Sequence, residues 1–201
     1  MSSWGTSPDA VDNKPSHLTA AEKRDVYATN KGWTASAGGN DNASADREVL
    51  VAIGDLAGSS ASTGLQEATV TSMRFIQGTT ANTDYTANDA AAEIQVEVTW
   101  DEAVTVTGTP QVVVANNDGS GGGYGDLTLS YEASGSTANS KRFRKTSAGI
   151  GNTDVLTLGG ANVTLNGGTL KDTATTVGGV PTVNSSVVLS GLTAVTVTVT
   201  S

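Results

Sequence analysis

Apolar and polar residues alternate along most of the chain after residue 64, and this pattern predicts a series of short β-strands. The strictest alternation lies in residues 93–100, whose inward side chains would be Ile94, Val96, Val98 and Trp100. Further strands are predicted at residues 69–75, 104–107, 111–115, 126–132, 141–145, 154–158, 162–165, 186–189 and 194–200. Because clusters of Gly, Asn, Asp and Pro separate these strands, the region 65–201 is predicted to be an all-β sandwich or barrel.

The segment 1–48 follows no such alternation and carries one helix signal. Thr19 and Glu22 stand at the spacing of a capping box, in which each side chain binds the backbone N–H of the other residue. We therefore predict a short helix over residues 20–29. Large apolar side chains are scarce around it, so this segment is not expected to enclose a core of its own.

Residues 1–54 are accordingly predicted to form an extended arm that binds a partner. Ordering a backbone costs about 1–2 kcal/mol per residue, and a neighbouring surface would have to offset that cost. Widely spaced aromatic residues are efficient interface anchors, and the candidates here are Trp4, Tyr27 and Trp33. The alternative is a disordered tail in which these aromatic residues are incidental.

A short strand ending at Gly54 closes the arm. Its apolar residues could pair with a strand of the partner protein, and the candidate contacts are Val49, Val51 and Ile53. Residues 55–64 are rich in Gly, Ser and Ala, which predicts a flexible linker between the arm and the region 65–201.

Composition and charge exclude several classes of function. The chain has no Cys, so disulfides, thiolate metal sites and cysteine nucleophiles are excluded. The net charge is −9, and residues 75–139 contain acidic residues but no Lys or Arg. Such a surface repels phosphate groups, so no nucleic-acid binding is expected of it. We find no signal peptide and no apolar run long enough for a membrane, and expect synthesis in a cytoplasm.

The residues that usually carry catalysis are isolated in this sequence. His17 is the only histidine and lies in a polar stretch, which leaves neither a Ser–His–Asp triad nor a zinc site. Residues 119–125 are glycine-rich but lack the Lys of a phosphate loop, so a long hairpin loop is expected. Asp101 and Glu102 are neighbours, and neighbours in a strand point to opposite faces. We therefore expect no enzyme, no cofactor and no metal.

Two clusters leave alternatives open. Two groups of residues with side-chain oxygen atoms could bind Ca²⁺ or could simply form turns. The first group is Asp84, Asn88 and Asp89, and the second is Asn116, Asn117 and Asp118. The basic segment 141–145 would place Lys141, Phe143 and Lys145 on one face of a strand. That strand could bind an acidic neighbouring subunit, or its charges could protect a sheet edge from aggregation.

Two segments resemble bacterial immunoglobulin-like modules. Residues 98–110 read Val-Thr-Trp-Asp-Glu-Ala-Val-Thr-Val-Thr-Gly-Thr-Pro, and residues 127–136 read Leu-Thr-Leu-Ser-Tyr-Glu-Ala-Ser-Gly-Ser. Both are similar to recurring stretches of those modules, as is Thr-Asp-Val-Leu at residues 153–156. The likeness covers about half of the chain and departs from the modules at residues 116–125. It implies an immunoglobulin-like β-sandwich over residues 65–201.

The opening of the chain resembles virion structural proteins of marine tailed cyanophages. The likeness rests on Met1-Ser2-Ser3-Trp4-Gly5, Lys31-Gly32-Trp33, Gly38-Gly39 and the Glu-Val-Leu-Val-Ala-Ile-Gly of residues 48–54. It implies a structural component of the virion, most simply a capsid decoration protein in many copies, bound to the major capsid protein or other virion proteins. The alternatives are a neck or tail protein, or a carbohydrate-binding surface module that would use Tyr85, Tyr124 and Tyr131.

Overall fold

The computed structural model describes residues 14–38, 42, 44–58, 65, 67–78, 80–82, 84–86, 93–119, 121–146, 148–174, 176–177 and 180–200. Its elements are α1 (Ala20–Asp25), β1 (Tyr27–Thr29), β2 (Gly32–Ala35), β3 (Glu48–Ala52), β4 (Val70–Gln77), β5 (Thr80–Ala81), β6 (Tyr85–Thr86), β7 (Ile94–Trp100), β8 (Val104–Thr107), β9 (Gln111–Asn117), β10 (Leu127–Glu132), β11 (Ser140–Lys145), β12 (Val155–Leu158), β13 (Thr169–Asp172), β14 (Thr176–Val177), β15 (Val180–Pro181) and β16 (Val195–Thr200). The predicted fold class, an all-β immunoglobulin-like sandwich, is confirmed.

A nine-stranded sheet in the order β5-β4-β7-β11-β10-β9-β12-β16-β6 forms most of the molecule. The four inward positions predicted for β7 are confirmed, since these apolar side chains are fully buried, and on the opposite face Gln95 and Thr99 are buried as well. In β4, Val70 and Met73 are three residues apart and yet both buried. A register shift between Val70 and Ser72 against β7 accounts for this, because a bulge turns the strand by one residue.

The large sheet curls so that its two ends approach each other. The edge strands β5 and β6 are separated by three residues, and β6 pairs in parallel with β16. Tyr85 of β6 packs edge-on against Phe75 of β4 with ring centroids 6.1 Å apart, and its hydroxyl donates to the carbonyl oxygen of Ile76 at 3.4 Å. The curled sheet therefore encloses a continuous core that extends from Ala68 to Val199.

Two small sheets complete the sandwich. Strand β13 pairs antiparallel with β8, and this pairing places Asp172 opposite Val104. Strands β14 and β15 form a short hairpin. Two of the predicted strands are not strands in the structure: residues 162–165 contribute only a single bridge, from Thr164 to Gln111, and residues 186–189 are irregular.

Residues 14–57 contain a small packed unit, which we call the N-terminal unit. Strands β1, β2 and β3 form an antiparallel sheet in that order. One face of this sheet covers a separate apolar cluster of Val26, Ala28, Trp33, Leu56, Ala57 and Leu65. The segment 1–48 therefore does not enclose a core of its own, as predicted, but it is packed rather than extended where the structure describes it. Leu56, Ala57 and Leu65 come from beyond the segment 1–48 and supply the aliphatic side chains that this segment lacks.

The local signals in this unit have mixed outcomes. The capping box of α1 is confirmed, because Thr19 Oγ1 accepts from the Glu22 backbone N–H and Glu22 returns a bond to the Thr19 N–H. The helix ends at Asp25 rather than at residue 29, since Tyr27 begins β1. Gly32 has a φ of 121°, which only glycine adopts easily, and its backbone lies tightly against Val51 of β3.

The segment 55–64 was predicted to be a flexible linker, but two of its described residues are packed in a core. Leu56 is 1% exposed and Ala57 is 5% exposed, and both pack in the cluster around Trp33. The backbone N–H of Ala57 donates to the Thr29 carbonyl oxygen at 3.2 Å. Composition alone cannot show this burial, because two apolar residues in a Gly/Ser-rich segment suffice to anchor it. Residues 59–64 lie outside the described part of the chain.

Candidate functional site

The outer edge of β3 is the open edge of the N-terminal sheet. Strand β3 pairs with β2 along its inner edge, and no other described strand pairs with it. Val49 is 41% exposed, whereas Val51 and Ile53 are half-buried against the cluster of the unit. Of the three aliphatic residues predicted to bind a partner, Val49 is thus the one whose side chain is accessible. An open strand edge offers backbone N–H and C=O groups to another strand.

The aromatic residues predicted as anchors are placed differently. Trp33 has no exposed surface and fills the centre of the N-terminal cluster, so it serves the chain's own packing rather than an external contact. Tyr27 is half-buried, and the guanidinium carbon of Arg47 lies 4.1 Å from the centre of its ring. Trp4 lies outside the described residues. The anchor role of Trp33 is therefore corrected, while that of Trp4 stays a prediction.

A buried junction joins the N-terminal unit to the sandwich. The Lys14 ammonium donates to the Trp100 carbonyl oxygen at 3.0 Å and to the Lys23 carbonyl oxygen at 2.7 Å. The Asn139 amide nitrogen also donates to the Trp100 carbonyl oxygen, at 3.1 Å, and to that of Arg24, at 3.1 Å. Lys14 is 4% exposed and Asn139 is 2% exposed. These two side chains therefore satisfy the carbonyl groups at the end of α1 and at the end of β7.

Three acidic residues lie buried beside this junction. Asp101, Glu102 and Asp172 each have no exposed surface. The Asp101 carboxylate accepts from the Thr69 backbone N–H at 2.7 Å and from the Thr69 hydroxyl at 2.6 Å. Burial raises the pKa of Asp101 to about 6, while the Thr69 bonds and the Lys14 charge oppose the rise.

Glu102 differs from Asp101 because neither of its carboxylate oxygens has a hydrogen-bond partner among the described residues. Burial, and then the neighbouring charges of Asp172 and Asp101, raise the pKa of Glu102 to about 9. Asp101 and Glu102 were predicted to point to opposite faces of a strand, but they lie between β7 and β8, both are buried, and the Asp101 charge is the third cause of the raised pKa of Glu102. The carboxylate that acts most strongly on Glu102 belongs to Asp172, which is distant in sequence and reaches this place through the pairing of β13 with β8.

The basic strand β11 lies inside the large sheet, between β7 and β10. It is neither a free edge nor an exposed docking strand. Arg144 forms ion pairs with Glu132 at 2.6 Å and with Glu93 at 3.2 Å, so the acidic partners come from the same chain. Lys141 shares the inward side of the strand with Phe143 and is 6% exposed. Burial lowers the pKa of the Lys141 ammonium to about 8, and this group donates to the Thr137 carbonyl oxygen at 2.6 Å.

An open groove of about 500 Å³ runs along β10 and β11. Its lining is mostly polar and consists of Thr128, Ser130, Tyr131, Glu132, Arg144, Lys145 and Thr146. Tyr131 is half-buried and packs edge-on against Phe143. Tyr124 is 39% exposed, but Tyr85 is 4% exposed within the core and cannot contact a glycan. Of the three tyrosines proposed for carbohydrate, only Tyr131 lines this groove.

The loops predicted as alternatives for calcium act as turns where they are described. Asp118 accepts from the backbone N–H groups of Gly122 and Gly123 at 3.0 and 2.6 Å, which closes the glycine-rich loop after β9. Asn88 and Asp89 lie outside the described residues. His17 is exposed. In the described part of the chain, no three His, Cys, Asp or Glu side chains come together as a metal-ligand group.

Comparisons with known proteins add no identification. Neither the protein-family models nor the curated proteins nor the solved structures provide a match to this chain. The described residues contain no helix with the length and apolar character needed to cross a membrane. Function is therefore inferred from the geometry of the chain and from the resemblance in its sequence.

Proposed function

We propose that this chain is a structural component of a bacteriophage particle, a capsid decoration protein that acts by adhesion and without catalysis. Its partners would be the major capsid protein or other virion proteins, and it would be present in many copies. The observation that carries this proposal is the open edge of β3 with Val49 exposed beside it. A strand of a neighbouring subunit could extend the sheet at this edge through backbone hydrogen bonds.

The construction of the N-terminal unit supports this mechanism. Behind β3 lies β2, whose Trp33 is fully buried, and Arg47 stacks on Tyr27 while donating to Thr34 Oγ1 at 3.2 Å. The edge is thus held in its strand conformation before any partner arrives. A preorganised edge loses less conformational entropy on binding, which favours adhesion. The resemblance of the segment 1–54 to cyanophage virion proteins supports the choice of a virion as the location.

A sedimentation assay tests the proposal. The chain is mixed with purified capsids of a marine tailed cyanophage, the capsids are pelleted, and the bound protein is quantified per capsid. We expect saturable binding that Val49→Lys weakens at least tenfold, because a charge at the edge opposes strand pairing. Val188→Lys is the matched control, since Val188 is 47% exposed and lies outside any strand. No binding by the wild type, or equal loss in both variants, would contradict the proposal.

The groove along β10 and β11 favours carbohydrate binding on the virion surface as a second candidate function. Sugars bind where hydroxyl, amide and charged groups line a groove, and here Thr128, Ser130 and Glu132 share one face of β10 with Arg144 opposite Ser130. The ion pairs of Arg144 with Glu93 and Glu132 hold the guanidinium at the groove. Such a site would assist attachment to a host glycan.

A glycan array with the isolated chain separates the two functions. Carbohydrate binding predicts signals that Tyr131→Phe weakens, since this variant keeps the packing on Phe143 and removes the hydroxyl. Tyr124→Phe serves as the control, because Tyr124 is exposed and does not line the groove. A blank array together with capsid binding would leave adhesion as the function.

A further inference from the structure

We propose that the buried carboxylates of Glu102 and Asp172 form a calcium-binding site beneath the N-terminal unit. Glu102 immediately precedes Ala103 and β8, and Asp172 ends β13. The pairing of these strands sets Asp172 opposite Val104, and the Thr173 backbone N–H donates to the Ala103 carbonyl oxygen at 2.9 Å. The two carboxylates therefore lie at the same end of the small sheet, although they are far apart in the sequence.

The burial of Glu102 and its lack of hydrogen-bond donors favour a cation as its partner. The residue has no exposed surface, and both of its carboxylate oxygens lack a partner among the described residues. A buried carboxylate without donors costs several kcal/mol, because it loses its hydration and gains nothing in exchange. Backbone N–H groups or a basic side chain usually offset this cost. Neither reaches Glu102 from the part of the chain that the structure describes.

The buried ammonium of Lys14 at the junction is engaged with other groups. Lys14 donates to the carbonyl oxygens of Lys23 and Trp100, and its charge acts on Asp101. Asp101 in turn is held by the backbone N–H and hydroxyl of Thr69. This leaves Glu102 facing Asp172 with like charge, which is the second cause, after burial, of its raised pKa. A positive charge placed between the two carboxylates would remove the repulsion.

A cation satisfies this site better than a proton does. A proton neutralises one charge and occupies one oxygen, whereas Ca²⁺ can bind both oxygens of a glutamate and neutralises two charges. Calcium also accepts the irregular coordination that two carboxylates, backbone carbonyl groups and water would provide, while Mg²⁺ requires a stricter octahedron. Because Thr69 engages Asp101, the proposed site takes two carboxylates, and the described residues form no three-residue metal group.

The location gives the ion a structural role. Ala28 of β1 forms a parallel bridge with Glu102, so the backbone of Glu102 already contacts the N-terminal unit. An ion bound to the Glu102 side chain would fix this backbone and thereby fasten the N-terminal unit to the sandwich. This role belongs to the isolated chain and is independent of any virion partner.

The test uses the full chain, with CaCl₂ as the probe and EDTA as the reference. Thermal unfolding is followed at pH 7.5, and Ca²⁺ binding is measured by calorimetry. We expect saturable Ca²⁺ binding and a saturable rise of the unfolding midpoint. Glu102→Gln should lose at least 90% of both effects, and Asp172→Asn should weaken binding at least tenfold.

Glu48→Gln is the matched control, because Glu48 is exposed on β3 and should keep the full response to Ca²⁺. Glu102→Gln should remain folded in EDTA, since the amide is neutral and has nearly the same shape as the carboxyl group, and its circular dichroism verifies this. The proposal is overturned if the wild-type midpoint is the same in CaCl₂ and EDTA. It is equally overturned if Glu102→Gln responds to Ca²⁺ as the wild type does. Either result would leave the adhesion assay and its interpretation unaffected.

Discussion

The backbone N–H of Ala28 donates a hydrogen bond of 2.7 Å to the carbonyl oxygen of Asp101. Through this bond the first strand of the N-terminal unit is attached to the segment that follows β7. Lys14 and Asn139 surround the same place with donors to the Trp100 carbonyl oxygen. The two apolar cores of the molecule are therefore linked by buried polar contacts.

Replacing Asn139 by Ala should weaken this link. The change removes two buried donor bonds and leaves the Arg24 carbonyl oxygen without its amide partner. We expect a loss of about 1–3 kcal/mol in the free energy of unfolding. Urea denaturation measures this, and hydrogen exchange should show the largest loss of protection in β1. Asn42→Ala is the control, because Asn42 is exposed. A loss below about 0.5 kcal/mol would mean that Asn139 does not stabilise the junction.

Two substitutions of Trp33 should have very different effects. Trp33→Ala leaves a large cavity in the small cluster of the N-terminal unit, which typically costs about 3–5 kcal/mol. Trp33→Phe keeps most of the ring volume and removes an indole N–H that finds no acceptor among the described residues. We therefore expect Trp33→Phe to cost less than half as much as Trp33→Ala in guanidinium denaturation. Equal costs would contradict the packing described for this cluster.

The raised pKa of Glu102 makes stability depend on pH in the absence of metal. Because the folded-state pKa is about 9 against an ordinary value of 4.5, the folded protein holds a proton that the unfolded chain releases. This contribution is complete below pH 4.5 and is lost as the pH rises towards 9. In EDTA, the wild type should lose stability across that range relative to Glu102→Gln. Parallel curves for the two proteins between pH 5 and 9 would refute the assignment.

Lys141 should give the opposite dependence on pH. Its pKa is lowered from 10.5 to about 8, so the folded protein releases a proton that the unfolded chain keeps. The neutral amine favours folding above pH 10.5, and this contribution is lost as the pH falls through 8. Lys141→Met replaces the buried ammonium by an apolar side chain. We expect its stability at pH 7 to equal or exceed that of the wild type in urea denaturation.

Lys145→Met is the control for this prediction. Lys145 lies on the same side of β11 but is only half-buried, so Lys145→Met makes the same chemical change at a less buried position. Lys141→Met should abolish the part of the pH dependence of stability that lies between pH 8 and 10.5. The explanation by desolvation fails if Lys141→Met loses more than about 2 kcal/mol at pH 7, since the bond to Thr137 would then dominate.

Alternating segments were the part of the fold that the sequence could predict. The pattern of residues 93–100 specifies one buried face, and the structure places that face in the core. Residues 162–165 and 186–189 have similar composition, but they form isolated contacts instead, such as the bond from the Ser186 N–H to the Ala68 carbonyl oxygen. Short β-branched runs do not reveal whether a neighbouring strand is present to complete a ladder.

Long-range contacts explain what sequence reasoning missed. The burial of Trp33 could not be predicted, because its partners Leu56 and Leu65 lie beyond the segment 1–48. The facing of Glu102 and Asp172 depends on the pairing of β13 with β8. Residues 169–172, which form β13, carry no alternation that would predict a strand. No spacing in the sequence links the two carboxylates, because strand pairing alone brings them together.

The division of the tryptophans between the two cores provides a natural optical probe. Trp33 lies in the N-terminal cluster and Trp100 in the sandwich, where its indole N–H donates to the Ser186 carbonyl oxygen at 2.9 Å. With Trp4 and one of these two replaced by Phe, the fluorescence emission of the other would report on its own core alone. Melting curves recorded at the two positions would then reveal whether the two cores unfold together or one after the other.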